Sequence, residues 1–205
     1  MQNQIIINKN ILPESKTQLL QALQNTYATM SKHPFADFSK NKIVFGEGNT
    51  ESPLLFLGEG PGRDEDLTGR PFVGRAGQLL TKMILAMGFS RDEIYITNVI
   101  KCRLPDNRRP TMEEIAIEKK LILDQEIAIL KPKIICTLGA SAMHALLGPN
   151  AQISKIRGQF FEGPGYKILP TYHPAYLLRN PSAKTMVWRD LQLILQELKT
   201  QIENQ

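Results

Sequence analysis

The chain has 205 residues, 42% hydrophobic and 22% charged, with a formal net charge of +5. That length suits one domain with a packed core, and no apolar run approaches the ~20 residues that cross a bilayer. A basic chain favours a polyanionic partner such as nucleic acid, and two cysteines, Cys102 and Cys136, are too few for a disulfide framework or a four-thiolate site.

The opening "IIINKNIL" is too short and too broken by polar residues for a signal peptide. With two cysteines read as free thiols, the expected location is the cytoplasm. Residues 1–205 are read as one domain, with 1–40 an N-terminal helix and loop and 41–205 the core. "PESKTQLLQALQNTYATM" predicts a helix, with Pro13 in its first turn and Leu19, Leu20, Leu23, Tyr27 and Met30 at helical spacing. "SKHPFADFSKN" reads as loop, and "KIVFGEGN" as a short strand running into a turn. "SPLLFLGEG" is a continuous apolar run, as in a central strand covered on both faces.

"GRAGQLLTKMILAMGF" predicts a helix stopped at Gly88. "EIYITNVI" is the next strand, followed by the loop "KCRLPDNRRP". Thr111 and Glu114 fit a capping box that opens a long helix ending at Pro132. "KIICTLG" is a buried strand with a short helix behind it, and "YKILPTYHP" a fourth strand running into a loop. The closing helix carries Val187, Leu191, Ile194, Leu195, Leu198 and Ile202 on one face. Strands alternating with helices imply an α/β sandwich with a mostly parallel sheet, whose ligands bind beyond the carboxyl ends of the strands.

Four loops leave those ends: Gly58–Gly74, Asn98–Pro110, Gly139–Ser141 and Tyr172–Arg179. In the first, Glu59, Gly60, Pro61 and Gly62 form a stiff turn that permits close backbone approach to a ligand. It lacks the Gly-Lys-Ser/Thr of a phosphate loop. The acids Asp64, Glu65 and Asp66 that follow suit a developing cation, a water or a metal, or simply a solvated helix start. Phe72 is either a platform for a planar ring or a loop anchor. Asn98 offers both a donor and an acceptor to a base edge, or caps a strand. Lys101, Arg103, Arg108 and Arg109 read as a phosphate-contacting edge or a solvated basic loop. His173, between two tyrosines and followed by Arg179 and Lys184, can donate to a developing anion.

"GEGPGRDEDLTGRPFVGRAGQLL", "YITNVIKCRLPDNRRP" and "PTYHPAYLLRNP" resemble the three signature regions of the family 4 uracil-DNA glycosylases, in the same order and spacing. The resemblance covers about Lys42 to Leu195. It implies a three-layer α/β/α sandwich with a central four-stranded parallel sheet. It also implies an enzyme that hydrolyses the N-glycosidic bond of uracil in DNA, single- or double-stranded, and leaves an abasic site. Carried over by position, Glu59 and Gly60 shape the base pocket, and Glu65 supports the attacking water or the cationic sugar. Phe72 stacks on the flipped uracil, Asn98 reads its edge and His173 donates to its O2. The "NPSAK" segment lies where the family wedges into DNA. No lysine is among the residues carried over to the base pocket to form a Schiff base, so a monofunctional enzyme is expected, working as a monomer.

The chain also departs from that family, whose members typically hold a [4Fe–4S] cluster on four cysteines. Cys102 stands at one expected ligand position, but Glu118 stands at another, and the expected N-terminal C-x-x-C is replaced at Met30–His33. One thiolate cannot hold such a cluster, so no cluster and no metal is expected; His33, Cys102 and Glu118 remain a conceivable alternative metal set. A related branch that traps itself on DNA does so through a histidine in the basic loop, and "RLPDNRRP" has none, so turnover is expected. Two alternatives stay open. One is a catalytically weak DNA- or uracil-binding module or replication accessory. The other is a glycosylase for hypoxanthine or xanthine, because Gly60 replaces the alanine usual there.

Overall fold

The structure, a computed structural model, describes residues 15–30 and 43–203. Pro13, the opening apolar run and the loop containing His33 lie outside the described residues, as does the side chain of Ile202. Six strands form one sheet: β1 (Glu47–Gly48), β2 (Leu54–Gly58), β3 (Tyr95–Asn98), β4 (Ile134–Leu138), β5 (Phe161–Gly163) and β6 (Tyr166–Thr171). Their order is β1-β3-β2-β4-β6-β5. The inner four strands pair in parallel, as the sequence leads one to expect. The expected four-stranded sheet is extended by β1 and β5, which add antiparallel at the edges. Both are only two or three residues long, too short to show an alternating pattern.

The helices are α1 (Lys16–Ala28), α2 (Arg63–Thr68), α3 (Arg75–Ala86), α4 (Met112–Glu118), α5 (Asp124–Leu130), α6 (Ala140–Leu147), α7 (Ile153–Ile156), α8 (Pro174–Arg179) and α9 (Lys184–Glu203). Every residue of β2 and β4 is buried, because helices cover both faces. One face packs Leu54, Phe56, Ile96 and Cys136 against Leu80 and Ile84 of α3 and Val187, Leu191 and Ile194 of α9. The other packs Leu55, Leu57, Tyr95 and Ile135 against Leu20 of α1, Ile115 of α4 and Ile127 of α5. Alternate residues of each strand therefore serve opposite faces.

The long predicted helix is interrupted. Thr111 and Glu114 form the expected capping box. A wide π-helical turn at Lys119–Leu123 then separates α4 from α5, and such turns carry one residue more than an α-turn. The segment beyond Tyr172, expected as loop, contains α8. Pro174 at its first position has a φ already suited to a helix.

Candidate active site

The carboxyl ends of the four parallel strands meet at one cavity of about 860 Å³. Gly58 ends β2, and a Cβ there would lie 2.3 Å from Asn98 Oδ1 and 2.4 Å from Phe72 Cζ. Only glycine lets the amide from β3 and the ring from the following loop converge. Asn98 is 2% exposed, and its side-chain amide has no hydrogen-bond partner among the described residues. It lines the cavity. A buried amide left open toward a cavity is costly unless a ligand satisfies it, which favours a binding role over a strand-end cap.

Phe72 is held in an unusual backbone conformation, with φ 53°. A bulky residue in the left-handed region is strained, and such strain persists only where surroundings impose it. Glu65 imposes it. Its Oε1 accepts the Val73 and Gly74 N–H groups, each at 2.9 Å, and its Oε2 accepts the Gly62 N–H at 3.1 Å. Arg91 donates to the Pro71 carbonyl from the other side. Gly77 completes the fit, since a Cβ there would stand 1.9 Å from the Phe72 carbonyl oxygen. Asp64, Glu65 and Asp66 also form the first turn of α2, where carboxylates complement the helix dipole. With three of about four lone-pair directions used, Glu65 keeps one for a water or substrate.

His173 is the N-cap of α8. Its Nδ1 accepts the Ala175 N–H at 3.1 Å, which fixes the neutral tautomer with the proton on Nε2. Burial, and then the charge of Arg179, lower its pKa to about 4. A neutral imidazole that presents an N–H into the cavity is the form present at pH 7. Its ring lies 5.7 Å from that of Phe72, tilted by 30°. Gly139, with φ +89°, brings the end of β4 against His173. Glu59 accepts a hydrogen bond from Ser141 at 2.5 Å.

Glu59, Gly60, Pro61, Gly62, Glu65, Phe72, Asn98 and His173 all line this one cavity. Arg108, Arg109 and Arg179 line it too. Arg108 is held by Glu114 at 2.6 Å. Arg103 donates to Asn107 at 2.8 Å and sits 3.9 Å from Asp66, outside the lining. Lys184 is exposed at the start of α9. The expectation that Lys101 contacts DNA is corrected. Lys101 is 0% exposed, and its Nζ is bonded to Glu126, Thr97 and the Asn98 carbonyl, each at 2.7 Å. It stands three residues past the end of β3, in a segment that stays buried through Cys102, so the chain holds it in the core rather than at the surface.

Sequence reasoning did not pick out Gly58, Gly77, Arg91 or Ser141. The glycines at strand and helix ends were visible signals, but the close approaches that require them were not. Tyr172 and Tyr176, whose rings lie 4.8 Å apart, also line the cavity; in the sequence they read only as flanks of His173.

The described residues do not fit a [4Fe–4S] cluster. Cys102 and Cys136 are both buried, form no disulfide and pack in cores on opposite faces of the sheet. Glu118, at a further expected ligand position, spends its carboxylate on Tyr27 and the Lys101 N–H. No cluster of three or more metal-binding side chains occurs among the described residues, and His33 lies outside them.

Comparison with known proteins gives this geometry a family. Residues 45–192 match the model of the uracil DNA glycosylase superfamily. The chain is 48% identical to a type-4 uracil-DNA glycosylase of Thermotoga maritima, over 70% of this chain and 76% of that protein. It is 41% identical to the type-4 enzyme of Saccharolobus solfataricus, over 80% of this chain and 79% of that protein. It is 38% identical to that of Pyrobaculum aerophilum, over 84% of this chain and 91% of that protein. With its parallel sheet, its motif loops at the strand ends and these relatives, the chain belongs to the uracil-DNA glycosylase superfamily, in its type-4 branch.

Proposed function

We propose that the protein is a monofunctional uracil-DNA glycosylase: it hydrolyses the bond between uracil and deoxyribose in DNA and leaves an abasic site. The observation that carries this reading is the convergence of Phe72, Asn98 and neutral His173 on one cavity that also holds Glu65. The target bond is hidden in a duplex, so the nucleotide must be everted into a pocket. Phe72 stacks on the everted ring, and the Asn98 amide pairs with the uracil edge. Cytosine, with an amine where uracil has a carbonyl, opposes the Asn98 donor.

Bond cleavage leaves negative charge on uracil and positive charge on the sugar. The Nε2 proton of His173 is placed to stabilise the first at O2. Neutral imidazole suits this role, since the stabilised anion needs a directed hydrogen bond rather than a proton already bound. Glu65 opposes the second charge and orients water with its remaining lone pair. The acids that follow the glycine turn thus serve the cationic sugar, not phosphate. Arg108, Arg109 and Arg179 at the cavity, together with Arg103 and Lys184, are assigned to the DNA backbone. The protein acts as a monomer on single- and double-stranded DNA. Two thiols that form no disulfide support a reducing, cytoplasmic setting, and no helix among the described residues is long and apolar enough to cross a membrane.

The test is incubation with oligonucleotides carrying one uracil, hypoxanthine or xanthine, followed by alkaline cleavage of abasic sites. Cleavage at uracil alone is expected. Binding without cleavage, or cleavage confined to hypoxanthine or xanthine, overturns the reading.

A further inference from the structure

The DNA-contact expectation for Lys101 fails because the side chain is locked in a buried polar network, and that network has an architecture of its own. Two glutamates face it from the long interrupted helix: Glu118 ends α4 and Glu126 lies in α5. Both are nearly inaccessible, at 0% and 2% exposure. Eight residues apart on a regular α-helix, they would diverge by about 80°. The π-turn between them absorbs one residue, which reduces the divergence to roughly 20°. One helical irregularity therefore turns both carboxylates toward the same strand end.

Their partners are divided. Glu126 takes the Lys101 ammonium at 2.7 Å and the Thr97 hydroxyl at 3.1 Å. Glu118 takes the Lys101 backbone N–H at 3.3 Å and the Tyr27 hydroxyl at 2.7 and 2.8 Å. The Lys101 ammonium then reaches back to the Asn98 carbonyl at 2.7 Å. Between these points, Val99 and Ile100 donate to the carbonyls of Gly58 and Glu59, each at 3.0 Å. The Lys101 carbonyl accepts the Val44 N–H at 2.8 Å. The backbone that carries the base-reading amide is thereby bonded at successive residues, from both sides.

Tyr27 supplies the link to α1, whose other buried apolar anchor is Leu20. Burial pushes Tyr27 well above a phenol's ordinary pKa and Glu118 up to about 7, so the phenol remains the donor. Cys102, the residue after Lys101, is buried in the same core. Glu118 and Cys102 stand at two of the positions at which the family resemblance would place cluster ligands.

We propose that Tyr27, Glu118, Lys101 and Glu126 form one buried frame that fixes the backbone at Asn98. Lys101 is then a positioning residue for the base-reading amide, and the Tyr27–Glu118 contact ties α1 down where the family resemblance would place an iron–sulfur cluster. The proposal rests on the glycosylase reading for its catalytic consequence only.

The test compares the full-length wild type with the double variant Lys101→Met/Glu126→Leu. Removing both buried charges together avoids stranding either one. Three quantities are read: single-turnover uracil excision, the salt dependence of binding to uracil-free duplex, and deuterium uptake over residues 98–102. The frame predicts a single-turnover excision rate at saturating enzyme about ten- to a hundredfold lower, as for a small misplacement of a reacting group, with the half-saturating enzyme concentration changed by less than about twofold. It also predicts an unchanged salt slope and faster exchange in the segment. A salt slope shallower by about one, with the excision rate and amide protection retained, makes Lys101 a phosphate contact and overturns the proposal. If the wild type excises no uracil, the glycosylase reading falls, while exchange and salt slope still decide the frame. If the double variant does not fold, Tyr27→Phe, which deletes one hydroxyl, decides it. Faster exchange of the Lys101 amide supports the frame, and unchanged exchange overturns it.

Discussion

At the scale of single residues, the site depends on close approaches as much as on reactive groups. Gly58→Ala is expected to lose activity and about 1–3 kcal/mol of stability, because the new methyl must displace Asn98 or Phe72; thermal unfolding and excision rate check both effects. His173 gives a pH prediction. Its folded pKa, about 4, lies below the ordinary histidine value of 6.5. The unfolded chain therefore binds the proton more readily, and the stability His173 contributes is present above pH 6.5 and lost as pH falls toward 4. Excision should keep a neutral His173 from pH 8 down to about 5 and fall as the ring protonates near 4. Protonation would also turn Nδ1 from an acceptor into a donor, breaking its bond with the Ala175 amide. A pH–rate profile whose acid limb lies near 6.5 and disappears in His173→Ala would contradict this placement. Sequence made Phe72, Asn98 and His173 visible as unusual residues after strands. It did not reveal that Glu65 spends two hydrogen bonds on holding the backbone beside Phe72, because those partners are backbone amides eight or nine positions away.

At the scale of elements, apolar runs and caps were legible and irregularities were not. β2, β4 and the long helix start at Thr111 followed from pattern, since each answers to a local rule of burial or capping. β5, α8 and the π-turn did not, and β1 forms at Glu47–Gly48, the end of a segment that reads as a strand running into a turn. Their conformations are set by neighbours: β1 by pairing with β3, and the π-turn by an interior that holds both Glu118 and Glu126. Lys101 shows the same limit. A lysine among arginines in a proline-rich loop reads as a surface charge, and only the facing Glu126 shows otherwise. Tyr27→Phe is expected to destabilise the protein by about 1.5–3 kcal/mol, as befits a buried hydrogen bond to a carboxylate. Urea unfolding should show this as a lower midpoint with an unchanged slope. A midpoint equal to wild type would mean that the Tyr27–Glu118 bond does not hold α1, leaving its apolar contacts and the Lys16 bonds to Leu130 and Glu51 to do so.

At the scale of the whole molecule, a parallel sheet gathers four loops at one end, so residues as distant in sequence as Glu59 and His173 share a cavity. That convergence was legible once strands and helices were seen to alternate, because the topology dictates where strand ends meet. The positive charge is distributed around the same mouth, and Arg109 and Arg179 are exposed there. Arg179→Glu should weaken binding to duplexes of any sequence and make the salt dependence shallower by about one unit or more, as fluorescence anisotropy at graded salt would record. Weakening that depends on sequence would instead point to base contact. The central claim is that the cavity separates uracil from deoxyribose by opposing the two charges that develop as their bond breaks. Its most direct test is the single-turnover rate of uracil release from a single-stranded oligonucleotide by wild type, His173→Ala and Asn98→Ala, each shown to unfold at a similar temperature. Each variant is expected to be slower by about 10²–10³; excision at the wild-type rate by both would contradict the account.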